Sequence, residues 1–100
     1  MAVTSRLADD GETRIIAVEG DFGPQQYKAF RDSLMADNGA RRYVVDLSQT
    51  RSLDSSALAL LLWLREQAVG QGAAVILRGA SSEVRHTLEL SQFERLFTLE

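Results

Sequence analysis

Cysteine is absent from this 100-residue chain, and histidine, tryptophan and proline occur once each. Without cysteine there can be no disulfide, no thiol chemistry and no thiolate metal site. The lone histidine, His86, cannot build a histidine-rich metal cluster. It stands among Val84, Arg85, Thr87 and Leu88 and reads as an ordinary surface residue. A serine nucleophile needs a base within hydrogen-bond reach, and the sequence supplies no clear candidate. Gly70-Gln71-Gly72 is not followed by the Gly-Lys-Ser/Thr of a phosphate loop. The neighbouring carboxylates Asp9 and Asp10 fall in a turn and read as solvated. Neither an enzyme nor a cofactor is expected. Positive charge is also scarce: 11 Lys and Arg stand against 14 Asp and Glu, a net charge of -3, with Arg41-Arg42 as the one basic doublet. That balance gives no nucleic-acid footprint. No apolar run is long enough to span a membrane, and residues 1–6 lack a basic region followed by an apolar core. The expectation is a single domain over residues 1–100, cytoplasmic and monomeric by default.

What is present alternates in character along the chain. Residues 2–7 and Thr13-Arg14-Ile15-Ile16-Ala17-Val18 read as strands joined by Asp10-Gly11, which supplies the positive φ of a tight hairpin. Pro24 suits a first helical turn. Tyr27, Phe30 and Leu34 then recur at helical spacing, and Asn38-Gly39 reads as the stop. Tyr43 to Leu47 is the apolar run of a central strand. Ser48 to Ser52 reads as a polar loop, and a second helix follows from about Ser55 to Val69, closed by Gly70 or Gly72. Ala74 to Leu77 is another strand. Ser81-Ser82 can cap a third helix carrying Val84, Leu88 and Leu90, and Leu96 to Leu99 makes a short last strand. The order predicts an α/β fold: a mixed β-sheet of four to five strands, an antiparallel hairpin first and parallel strands after it, with helices packed on it.

The second helix is the odd element. From Ala57 to Leu64 it has no charged side chain, whereas a helix lying on a sheet should keep a polar face. Leu58, Leu61, Leu62 and Val69 make one candidate stripe, with Leu60, Trp63 and Leu64 pointing elsewhere. Flanking helices would account for most of these residues, and a partner protein for the remainder. Trp63 is the best single anchor, since aromatic residues are favoured at binding hot spots. Just before the run stand Asp54, Ser55 and Ser56, at a helix start where unpaired N–H groups and a positive field favour an anion. Capping needs one side chain, and three short polar residues stand there. The helix-terminus argument alone does not separate Ser55 from Ser56.

Val44-Val45-Asp46-Leu47-Ser48 followed by Leu53-Asp54-Ser55-Ser56-Ala57-Leu58 resembles the signature of STAS domains, specifically the bacterial anti-sigma factor antagonists. Glu19-Gly20-Asp21 resembles that family's strand-end turn, and Val84 to Phe97 its C-terminal helix and last strand. Ala57 departs from the glycine found there in many members, which implies a small change in loop freedom. The resemblance implies that the chain binds an anti-sigma factor that is also a serine-protein kinase. It implies phosphorylation at Ser56, with Ser55 as the alternative, in an environment of Asp21, Asp54, Ser55 and Ala57. It also implies removal of the phosphate by a metal-dependent serine phosphatase, with partner contacts from Leu58, Leu62 and Trp63. A different implied role is that of a small cytoplasmic STAS subunit docked, through the same helix, on an ABC-type lipid-transport complex. The paired serines favour the regulator.

Overall fold

The computed structural model describes residues 3–35 and 40–100. Strand β1 (Val3–Leu7) turns at Gly11, φ +71°, into β2 (Thr13–Val18), and the two pair antiparallel from Val3 opposite Val18 to Leu7 opposite Arg14. The turn is fastened by the Asp10 carboxylate, which accepts from the backbone N–H groups of Glu12 and Thr13 and from the Thr13 hydroxyl. β3 (Gly20–Phe22) and a 3₁₀ turn (Pro24–Gln26) lead into α1 (Tyr27–Met35). The stop expected at Asn38-Gly39 lies outside the described residues. β4 (Arg42–Asp46), β5 (Thr50–Leu53), α2 (Ser55–Gly70), β6 (Ala74–Arg78), α3 (Ser82–Leu90), a second 3₁₀ turn (Phe93–Arg95) and β7 (Thr98–Leu99) complete the order.

The main sheet runs β1-β2-β4-β6-β7, antiparallel at the first pair and parallel at the other three. This is the mixed five-stranded arrangement expected from the order of elements. Ile16, Val18, Tyr43, Val45, Val75 and Leu77 share one face by their alternation along the strands, and they join the helix residues Phe30, Leu34, Leu60, Leu61, Leu64 and Leu88 in one core.

Several details differ from the sequence reading. The last strand, expected from Leu96 to Leu99, is Thr98–Leu99, because Leu96 closes the second 3₁₀ turn. Gly20 and Asp21, expected in a strand-end turn, begin the short strand β3. Thr50 to Ser52, expected in a loop, belong to a strand that runs on to Leu53 and pairs parallel with β3 in a separate two-stranded sheet. Thr50 is buried and its hydroxyl donates to the Val18 carbonyl at 2.7 Å, so a polar segment gains strand structure from a partner some thirty residues back. The buried stripe of α2 is Ala57, Leu60, Leu61, Leu64 and Ala68, not Leu58, Leu61, Leu62 and Val69. With apolar residues on every side, spacing cannot phase the helix, and packing against β6 decides. On α3, Val84 and Leu88 are buried but Leu90 is 72% exposed. Ser81 caps this helix, accepting from Val84 N–H, and Gly72 takes the positive φ after α2.

Candidate functional site

The start of α2 is fixed from outside the helix. β5 delivers Leu53 to the register position of Phe22, and the Asp54 N–H donates to the Phe22 carbonyl at 3.3 Å. The chain then turns, with Asp54 in extended backbone as the N-cap. Its Oδ1 accepts from the Ala57 N–H at 3.0 Å and from the Ser56 hydroxyl at 2.6 Å. One carboxylate oxygen therefore caps the helix and orients the second serine. The Ser56 hydroxyl bond, followed by the Ala57 N–H, holds the Asp54 carboxyl below the usual carboxylate value. Ser55 is exposed and Ser56 half-buried, both in the first turn. Gly23 lies against the back of this cap: a Cβ there would stand 2.7 Å from Asp54 Oδ2. The Gly23 N–H donates to Gln26 Oε1 at 2.8 Å.

Asp21, on the neighbouring strand, has its carboxylate engaged differently. Arg51 grips it bidentately through Nε and Nη2 at 2.9 and 3.0 Å, and the Ser52 hydroxyl adds a bond at 2.8 Å. Arg51 first, and Ser52 second, hold its carboxyl down at about 2. Asp21 thus ties β3 to β5 and supports the ledge from which α2 departs. The family resemblance implied Asp21 in the environment of the serines; its carboxylate instead bonds Arg51 and Ser52, which were not legible in the sequence, since neither residue is marked as a partner by its neighbours.

Downstream, about 100° of rotation per residue sorts the outward side chains of α2. Ser55, Leu58, Leu62 and Val69 fall within about 60° of one another, whereas Ser56 and Trp63 share a second line turned about 100° from Leu62. Leu62 is 39% exposed, while Leu58 and Trp63 are half-buried and pack on the core. Ala57 is fully buried where the helix meets the sheet. The helix therefore presents a leucine line and a tryptophan line on either side of its outermost ridge, with one serine at the head of each.

His86 is exposed on α3. Among the described residues there is no group of three or more His, Cys, Asp or Glu able to hold a metal, and no helix long and apolar enough to cross a membrane. The geometry brings together a serine hydroxyl bonded to the cap carboxylate, a helix start and an exposed leucine two turns further on.

Comparison with known proteins places this geometry in a family. The family model described as "Mlab, STAS domain" matches residues 5–99. A STAS-domain containing protein of Pseudomonas aeruginosa (strain UCBPP-PA14) is 42% identical over 100 residues, covering 99% of each chain. The solved antisigma-factor antagonist STAS domain of Rhodobacter sphaeroides is 32% identical over 82% of this chain and 92% of its own, with TM-score 0.59. The anti-sigma factor antagonist SpoIIAA superposes in its unphosphorylated form with TM-score 0.79 at 16% identity, over 99% of this chain and 87% of its own. The phosphorylated form of that Bacillus protein gives 0.71, over 99% and 91%. At that identity the likeness speaks for the fold.

Proposed function

The chain belongs to the STAS domain family, and from that premise we propose that it is an anti-sigma factor antagonist, a binding module switched by phosphorylation of Ser56. The carrying observation is the 2.6 Å bond from the Ser56 hydroxyl to the N-cap carboxylate of Asp54, at the head of a helix on which Leu62 is exposed and Leu58 and Trp63 are half-buried at its flanks. The unmodified form binds an anti-sigma factor that is also a serine kinase. The kinase brings ATP; its γ-phosphoryl group passes to Ser56 Oγ, the hydroxyl proton leaves and ADP departs. A metal-dependent serine phosphatase reverses the modification by hydrolysis.

The switch is electrostatic. A phosphate adds about -1.5 to -2 charges at neutral pH. The first-turn N–H groups and the helix field favour it, while the carboxylate of Asp54, which loses its Ser56 partner, opposes it. The partner meets a hydrated dianion inside a contact surface. A loss of about 3 kcal/mol there weakens binding more than a hundredfold with no refolding.

Incubation with the cognate kinase and ATP followed by peptide mass spectrometry is expected to find phosphate on Ser56; phosphate on Ser55 alone, or on neither, overturns the site. Ser56→Ala is expected to retain partner binding and Ser56→Glu to weaken it. Equal affinities would remove the switch.

A second reading is favoured by the family model's own description, which names Mlab. In it the chain is a constitutive subunit of a membrane lipid-transport complex, and the outward line of α2 docks on the ATPase subunit. Affinity capture from the native cell separates the two: a kinase or phosphatase in the first case, ATPase and permease subunits in the second.

A further inference from the structure

The last strand is too short for its neighbour. β7 pairs only with Ile76 and Leu77, because the chain before Thr98 is wound into the 3₁₀ turn Phe93–Arg95. Beside the uncovered Ala74–Val75 end of β6 a cavity of about 320 Å³ opens, walled by Arg65 and Val69 of α2, Ala73, and Arg95, Leu96 and Phe97 from the C-terminal segment. That volume is at the small end of the range for ligand sites and well below what a protein interface occupies. Two arginines line it and no acidic residue does, in a chain whose net charge is -3. Arg65 spends its Nε on the Leu96 carbonyl at 3.0 Å, which fixes the guanidinium at the wall and leaves its other N–H groups for a ligand. No ion pair engages Arg95 among the described residues, whereas Arg41, Arg42, Arg51, Arg78 and Arg85 each have a carboxylate partner. Thr98 adds one hydroxyl to the lining, and the other side chains of the wall are apolar. Val69 and Leu96 are 59% and 41% exposed at the mouth, and Ala73 and Phe97 are buried behind them.

We propose that this cavity binds a small amphiphilic anion, a carboxylate on a short apolar chain, with its head on Arg65 and Arg95 and its tail against Val69, Ala73 and Phe97. A planar guanidinium matches a carboxylate bidentately, and the apolar wall gives a short alkyl chain surface to leave water. The site is separate from the serines: Arg65 stands nine residues beyond Ser56, roughly 13 Å along the helix. It does not depend on Ser56 being modified.

The test is a titration of the full ¹⁵N-labelled chain with hexanoate, followed by amide chemical shifts, with acetate and 1-hexanol as head-only and tail-only comparators. Hexanoate is expected to give saturable shifts at Val69, Ala73 and Thr98 and none at Ser56, and to bind more tightly than either comparator. Arg95→Gln is expected to weaken hexanoate roughly tenfold or more, the loss of one charge-assisted bond. Val69→Glu, which sets a carboxylate at the mouth, is expected to abolish binding. Both side chains are exposed, so both variants should keep the wild-type spectral dispersion. The proposal fails if hexanol matches hexanoate, if Arg95→Gln binds as wild type does, if the shifts centre on Leu58 and Leu62, or if none saturate below about 10 mM.

Discussion

Replacing Gly23 with alanine is the most direct probe of how the Asp54–Ser56 arrangement is held. The backbone at Gly23, with φ near -152°, accepts any residue, so the substitution acts only through the added methyl. Its Cβ would stand 2.7 Å from Asp54 Oδ2 and 3.4 Å from Asp54 Cγ. The carboxylate oxygen must retreat by more than half an ångström to reach ordinary contact near 3.4 Å. It is held at its other oxygen by Ser56 Oγ at 2.6 Å and Ala57 N–H at 3.0 Å, so a shift of that size costs at least one of these bonds. Stability is a poor readout. Loss of a cap and the entropic gain of about 0.4–1 kcal/mol from removing a glycine are of one order and opposite sign. The informative measurements are local: the Asp54 carboxyl titration by NMR and hydrogen exchange at the Ala57 amide. In Gly23→Ala the Asp54 pKa is expected to rise back toward 3.8, because the bonds that lower it are the ones disturbed, and Ala57 should exchange faster. If Asp54 titrates as low as in the wild type and Ala57 exchange is unchanged, the cap does not depend on this close approach and the reasoning is wrong.

The remaining predictions rest on burial, backbone angle and charge. Leu61→Ala, at a fully buried site, should cost about 2–5 kcal/mol in urea unfolding, whereas Leu62→Ala, one residue on and outward, should cost under about 1 kcal/mol and show its effect in partner affinity. Gly70→Ala meets nothing within 4 Å and should stabilise α2 by about 0.5–1 kcal/mol; Gly72→Ala, at φ +73°, should destabilise by about 1–2 kcal/mol, both read from thermal midpoints. Asp10, Asp21 and Asp54 have folded-state values below 3.8, Asp21 down at about 2. Their contribution to stability is therefore complete above the unfolded value and is lost as pH falls through the folded ones. The midpoint should hold from pH 7 to about 5 and drop between about 4 and 2, less steeply in high salt because these groups are exposed.

Legibility in the sequence followed the range of the interaction that fixes each element. The β1–β2 hairpin, a serine cap at Ser81 or Ser82 and the apolar strand at Tyr43 to Leu47 depend on neighbouring residues, and all were readable; the bond from Val84 N–H decides for Ser81. Three short polar residues stood at the start of α2, and only the distance to Ala57 N–H decides for Asp54 as its cap. β5 was unreadable because Thr50-Arg51-Ser52 carries no alternation; its order comes from β3, through the Asp21–Arg51 pair and the Thr50–Val18 bond. The facing of α2 was unreadable for the opposite reason, an excess of apolar residues. The two arginines of the cavity lie thirty positions apart, at Arg65 and Arg95, and only the short pairing of β7 brings them to one wall.

The strand order β1-β2-β4-β6-β7 also shapes how the chain reaches this structure. The hairpin is the one main-sheet pairing between strands joined by a tight turn, and hairpins of this kind form in about 1–10 µs. Every parallel pair must wait for closure of a crossover, the β4–β6 pair for one that contains the whole of α2. Non-local pairings of this kind make a mixed α/β domain slower to fold than a helical one, which takes about microseconds to milliseconds. During that wait the apolar run from Ala57 to Leu64 has no sheet to cover it. The segment proposed as the docking face of the finished protein is thus also its main exposure to aggregation while it folds.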